Sequence, residues 1–190
     1  MKSGNIILNS DTETAVSQYL KQNSLTSKPK IDLHNHKGRS KRFKSVFRSI
    51  RVCNQELKET STILIGDGVI FEITLETNGD VLHSPVVLIE LRDASERPIC
   101  KFTSEVMASD GFQLCGRNLI RCFWKACCLV SGIYSINLEL RNAGINLDVV
   151  KKAASVHVRA AEIHGSRNLH TGPGFIIPDE KWELKILSKD

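Results

Sequence analysis

The chain has 190 residues, 41% of them hydrophobic, and a formal charge of +5 at neutral pH. That is enough apolar material for one good core with an appendage, and tight for two full domains. No run approaches the roughly 20 apolar residues of a membrane-spanning helix, so membrane association has to run through a partner. Six cysteines (Cys53, Cys100, Cys115, Cys122, Cys127, Cys128) show no CxxC spacing and come after no secretory-signal pattern. Disulfides and zinc clusters are therefore poorly supported, and free thiols in a reducing cytosol are expected.

Residues 1–22 differ from the rest of the chain. Gly4 to Asn9 reads as a short extended piece, and Ser10-Asp11-Thr12-Glu13 has the spacing of a capping box. Ala15, Val16, Tyr19 and Leu20 then recur at helical spacing, which predicts a short amphipathic helix that needs a docking surface to be stable. Residues 23–45, rich in Asn, Ser, Thr, Pro and Lys, read as a basic linker. Within it, Asp32-Leu33-His34-Asn35-His36 resembles the metal-binding start of amidohydrolase-type enzymes. That chemistry needs further ligands on the strands of an α/β barrel, and the β-rich remainder of the chain favours a solvated linker instead. Lys37, Arg39, Lys41, Arg42, Lys44, Arg48 and Arg51 form a basic cluster. No helix-turn-helix, zinc finger or aromatic RNA-binding pattern accompanies it, so solvation and protection of a sheet edge are expected rather than nucleic-acid binding.

From Val46 the period becomes two. Strands are predicted at Phe47–Asn54, briefly at Ile63–Ile65, and at Val69–Glu76 with Glu72, Thr74 and Glu76 outward. Asn78-Gly79-Asp80 ends that strand with turn chemistry. Val86–Arg92 places Val87, Ile89 and Leu91 inward, and Asp93–Glu96 returns the chain into Ile99–Ser104. Met107–Asn118 is irregular. Leu119–Ala126 alternates Ile120, Cys122, Trp124 and Ala126 against Leu119, Arg121, Phe123 and Lys125. After Ser131-Gly132, Ile133–Arg141 alternates Tyr134, Ile136, Leu138 and Leu140 against Ser135, Asn137, Glu139 and Arg141. This strand–turn–strand stretch is the centre around which the other strands are expected to pack. Asn142–Asn146 reads as a turn, Ala153–Arg159 as a strand, 162–174 as a loop, and Phe175–Leu184 as a final apolar segment whose Pro178 suits an edge. Together these predict residues 46–190 as an all-β, antiparallel sandwich of immunoglobulin-like or jelly-roll type.

Two groups of residues carry a resemblance. Gly4 to Leu20 looks like the last strand and helix of an ABC-transporter ATPase domain of the polysaccharide-export type. Gly68 before a long strand, the turn at Leu91-Arg92-Asp93-Ala94, Leu129 with Ser131, Gly132 and Tyr134, Ala153–Val158 and the closing Trp182 resemble the C-terminal carbohydrate-binding domain of Wzt-type O-antigen exporters. The resemblance implies that residues 1–22 are the end of an ATPase domain and that Met1 is an artificial or alternative start. It implies a cytoplasmic module, peripheral to the inner membrane through its transporter. Its partners would be an O-antigen glycan, recognised at a capped non-reducing end, an ATPase domain and a membrane permease. It also suggests a homodimer made by exchange of the C-terminal strand. No GxxxxGK[ST] phosphate loop occurs, so this chain itself is expected to be non-catalytic and to need no cofactor or metal. An alternative is a dimerisation or protein-interaction module without a glycan.

The strands Val86–Arg92, Ile133–Arg141 and Ala154–Arg159 are expected to be neighbours, with Ile99–Ser104 at their edge. Their outward Glu90, Arg92, Asn137, Glu139, Arg141, His157 and Arg159 then form one polar patch suited to sugar hydroxyls and acidic caps. The competing face carries Arg121, Phe123 and Lys125. Trp124, by parity, belongs to the core.

Overall fold

The computed structural model describes residues 31–105, 112–159 and 180–188. Among the described residues, ten strands form two five-stranded sheets. They are β1 (Ile31–Asp32), β2 (Phe47–Cys53), β3 (Thr62–Leu64), β4 (Val69–Glu76), β5 (Pro85–Arg92), β6 (Pro98–Thr103), β7 (Arg117–Trp124), β8 (Gly132–Asn142), β9 (Ile145–Arg159) and β10 (Glu180–Ser188). One sheet runs β1-β2-β4-β7-β10 and the other β3-β9-β8-β5-β6. Neighbours are antiparallel except β3, which lies parallel to β9. The fold is the all-β sandwich that the alternation predicts. The expected helix near residues 10–20, the loop 162–174 and the start of the last segment lie outside the described residues.

The stretch Leu119–Arg141 crosses from one sheet to the other. In β7, Ile120, Cys122 and Trp124 are buried; in β8, Tyr134, Ile136, Leu138 and Leu140 are, so each strand sends its apolar parity into the shared core. Phe102 of β6 bridges the layers, with ring centroids 5.3 Å from both Phe71 of β4 and Trp124 of β7. Such tilted and edge-to-face aromatic pairs add about 0.5–1.5 kcal/mol beyond their area. Ala126 departs from the expected parity: β7 ends at Trp124 and Ala126 is exposed. The chain leaves the strand there because Cys127 is taken into a different pairing. Its N–H donates to Asp67 O at 2.8 Å and its carbonyl accepts from Gly66 N–H at 2.7 Å.

β9 is longer than its periodicity suggested. The turn is confined to Ala143 (φ 48°) and Gly144 (φ 79°), two left-handed residues that suit a tight hairpin, and the strand resumes at Ile145. A bulge at Lys152 (φ 51°) shifts the β8–β9 register between Ile136 and Leu138. The bulge breaks the two-residue period, which hid the first half of the strand from sequence.

The solvated linker expected over 23–45 is, from Ile31 onward, part of the sandwich. β1 pairs with β2, and Leu33 is fully buried. Ser40 N–H reaches Val149 O at 3.1 Å, and Lys44 N–H reaches Leu147 O at 2.9 Å, so the segment runs along β9. Gly38 makes this possible: a Cβ there would stand 1.8 Å from the Lys151 carbonyl oxygen. Arg39, expected in a solvated basic cluster, is instead ion-paired with the fully buried Asp148 of β9. Arg39 also donates to Leu33 O and Phe47 O, each at 2.7 Å, while Asp148 Oδ2 accepts the N–H groups of Val46 and Phe47, each at 2.8 Å. Composition marks such a segment as polar, and only the buried carboxylate 109 residues away turns its arginine inward. Arg48 and Arg51 likewise lie on a sheet face, paired with Glu76 and Glu72.

Candidate functional site

The order β9-β8-β5-β6 places the three expected strands side by side with β6 at the edge. Register then decides which outward side chains meet. Glu90 of β5 stands opposite Asn137 of β8, and Leu88 opposite Glu139. Arg92 Nε donates to Glu90 Oε1 at 2.5 Å, and Arg141 Nε donates to Glu139 Oε1 at 2.5 Å and to Asn146 Oδ1 at 3.1 Å. The result is two half-buried carboxylate–guanidinium pairs flanking Asn137.

Asn137 holds the bulge. Its Oδ1 accepts Lys152 N–H at 2.8 Å and its Nδ2 donates to Glu90 Oε1 at 3.4 Å, so its amide is engaged within the fold. Two residues join the cluster that periodicity did not single out. Lys152 sits on the bulge and Glu96 at the β5–β6 hairpin tip, where φ is 61°. Their side chains pair at 2.7 Å, and Arg92 Nη1 donates to Glu96 O at 2.6 Å. The turn residues Asp93 to Glu96 were the only sequence signal for this approach.

His157 and Arg159 lie farther along. His157 is opposite Ile133, four residues before Asn137 on β8, with the Ser135–Ser155 pair between. At about 3.3 Å per residue that is about 13 Å from the centre of the cluster. Partial burial, and then the Arg159 charge, hold the His157 imidazole below its usual value. The expected single patch is therefore two neighbouring ones on the same face.

The opposite sheet carries a ladder of alternating charge. Arg51, Glu72, Arg121 and Glu183 face one another across β2, β4, β7 and β10. Glu72, only 9% exposed, accepts from Arg51 Nη1 at 3.1 Å and from Arg121 Nε at 3.0 Å. Burial works against the Arg121 charge, but the hydrogen bond and charge of Glu72, with Glu183 beyond, outweigh it and hold the guanidinium above its ordinary value. Phe123 is half-buried opposite Ile70, and Lys125 is exposed past the strand end. On both faces, then, the carboxylates and guanidiniums are paired with each other, here as a ladder across four strands.

Three of the thiols are poorly disposed for nucleophilic chemistry. Burial pushes Cys127 up to about 11, and burial also raises Cys53 and Cys128. A nucleophilic cysteine needs a depressed value. Among the described residues no group of three His, Cys, Asp or Glu could hold a metal ion. The Asp32–His36 motif is used locally: Asp32 Oδ1 accepts His34 N–H at 2.9 Å, and His36 Nδ1 accepts Gly38 N–H at 3.1 Å. Among the described residues no helix is long and apolar enough to cross a membrane.

No family model and no curated protein matches the chain. Among solved structures, the crystal structure of the C-terminal domain of Wzt is similar, with a TM-score of 0.53 at 12% identity. The match covers 65% of this chain and 75% of that one. At so low an identity the likeness is one of fold, and it agrees with the strand alternation and turn positions that carried the resemblance in sequence. The chain has the fold of the C-terminal domain of Wzt.

Proposed function

We propose that the chain is a non-catalytic carbohydrate-binding module that recognises the capped, non-reducing end of an O-antigen polysaccharide before export by an ABC transporter. The observation that carries this reading is the outer face of β5, β8 and β9, where Glu90–Arg92 and Glu139–Arg141 stand as paired carboxylates and guanidiniums on adjacent strands. A sugar hydroxyl both donates and accepts, so a carboxylate beside a guanidinium serves it fully, and an acidic cap would pair with Arg92 or Arg141. His157 and Arg159 extend the face for a longer chain. In this role the module works in the cytoplasm at the inner membrane, held there through an ATPase domain and a permease.

Isothermal titration of the chain with the O-polysaccharide of its own cell, with and without the end group, tests the reading. The intact polymer should bind and the uncapped one should bind at least ~10-fold more weakly, about 1.4 kcal/mol. Arg92→Ala with Arg141→Ala should lose binding while the fold stays intact, since half-exposed ion pairs contribute about 0–1 kcal/mol each. Binding that survives this pair and is lost in Arg121→Ala or Phe123→Ala would move the site to the other sheet.

The length of the connection before β10 leaves room for exchange between two copies as an accompanying feature. β9 ends at Arg159 at one side of one sheet, and β10 begins after twenty intervening residues, beside Trp124 at the edge of the other. A connection of that length allows β10 to complete either its own sandwich or a partner's.

A further inference from the structure

Two shallow depressions meet at Arg48, on the sheet opposite the proposed glycan face. One, of about 280 Å³, is lined by Asp32, Arg48, Ser49, Glu76 and Arg117. The other, of about 420 Å³, shares Arg48 and adds His34, Lys44, Asn78 and Asp80. Arg48 reaches this position because it is the extra residue of a bulge in β2: Phe47 faces Leu75 and Ser49 faces Thr74. Its Nε donates to Glu76 Oε2 at 2.9 Å, its Nη2 to Asn78 Oδ1 at 2.9 Å, and its Nη1 to His34 Nδ1. The bonds made by Asp32 and Glu76 leave acceptor sites open on both carboxylates. Arg117, opposite Glu76 in the β4–β7 register, is exposed.

We propose that this double cleft binds a neutral, hydroxyl-rich ligand, a short run of uncharged sugar residues, at a site distinct from the β5-β8-β9 face. Charge decides the class. The first depression holds two carboxylates and two guanidiniums, whose formal charges cancel. A phosphate would meet Arg48 and Arg117 with Asp32 and Glu76 against it, whereas a hydroxyl finds a donor and an acceptor side by side. Among the described residues no Phe, Tyr or Trp lines either depression, so each sugar is held mainly by polar contacts and the affinity is weak, with Kd on the order of 1 mM or above. The ligand class rests on the function proposed above, while the location rests on the cleft alone. The cleft would grip the body of a chain whose end lies on the other sheet.

The test is ¹⁵N chemical-shift mapping of the full chain, reading the backbone and the Arg Nε–H and His ring signals. The probes are the methyl glycosides of glucose, galactose and mannose, each to about 100 mM, and separately inorganic phosphate to the same concentration. At least one glycoside should shift Arg48, Arg117 and His34 saturably, and Arg117→Gln should weaken that binding about 5-fold without disturbing the rest of the spectrum. Saturable shifts with phosphate at lower concentration, or none with any glycoside, would overturn the proposal. Shifts confined to Arg92 and Arg141 would reject the cleft and leave the sheet-face reading standing. Shifts confined to the cleft would do the reverse.

Discussion

Asp148→Ala isolates the clasp that holds residues 33–47 on the sandwich. Asp148 is fully buried; its Oδ2 accepts two backbone N–H groups at 2.8 Å and pairs with Arg39, whose side chain is 10% exposed. Truncation leaves two buried amides without an acceptor, at about 1–3 kcal/mol each. It also leaves a buried guanidinium without its counter-charge, a loss of about 3–5 kcal/mol in comparable buried pairs. All three contacts converge on one oxygen, so these costs overlap rather than add. Arg39 keeps the carbonyls of Leu33 and Phe47, which softens the loss. A total of about 4 kcal/mol results, and with a urea slope of about 2 kcal/mol per M the unfolding midpoint falls by about 2 M. The double variant Arg39→Met with Asp148→Leu removes both charges and should recover part of that fall. A midpoint shift below about 0.5 M for Asp148→Ala would refute the clasp as a stabilising element.

Trp124→Ala should cost about 3–5 kcal/mol, because the indole is 2% exposed and packs on Phe102; a variant with unchanged urea midpoint but lost glycan binding would contradict its core role. Cys128 is the exposed thiol adjoining a buried one, so iodoacetamide at neutral pH should modify it well ahead of Cys127, read by mass spectrometry of the peptides. His36 and His157 are both held below the ordinary imidazole value of 6.5, chiefly by burial and then by Arg39 and Arg159. As pH falls the unfolded chain therefore takes up protons first; their contribution is fully present above about pH 6.5 and is lost as the pH drops through the folded values. Urea midpoints should fall between pH 7.5 and 5, and the slope should flatten in His36→Asn with His157→Asn. Deleting residues from Glu180 onward strips β7 of its neighbour, so light scattering should show aggregation or a changed oligomeric state rather than an unaltered species.

Wherever residue type alternated without interruption, the strands were legible: β4 is bounded as its pattern predicts, and β8 and β5 lie within a residue or two of theirs, although Glu72 and Thr74, expected outward, are buried because β4 is central in its sheet. The neighbour order that brings Glu90 beside Asn137 also came from reading a sandwich. What stayed hidden involves residues whose partners are remote or whose period breaks. Asp148 falls in the part of β9 before the Lys152 bulge, and nothing local announces that it is buried against Arg39. Asn137 read as a free amide on a polar face because the bulge it satisfies belongs to another strand. Arg48 read as one cation among seven, and its place at the cleft depends on an extra residue in β2 that composition does not reveal.

The docking of residues 31–45 also sets how far the sandwich can stand from whatever precedes it. A tether spanning all of 23–45 could reach about 80 Å at full extension, at about 3.5 Å per residue. With the chain fixed to the sheet from Ile31 and locked again at Arg39, residues 31–45 are withdrawn from that span, and its upper limit shrinks to about 28 Å. A short leash confines the module to a small volume and raises its effective concentration at a neighbouring site by the cube of the shortened radius, here more than tenfold. Even weak contacts of the kind expected for sugars can then be occupied most of the time.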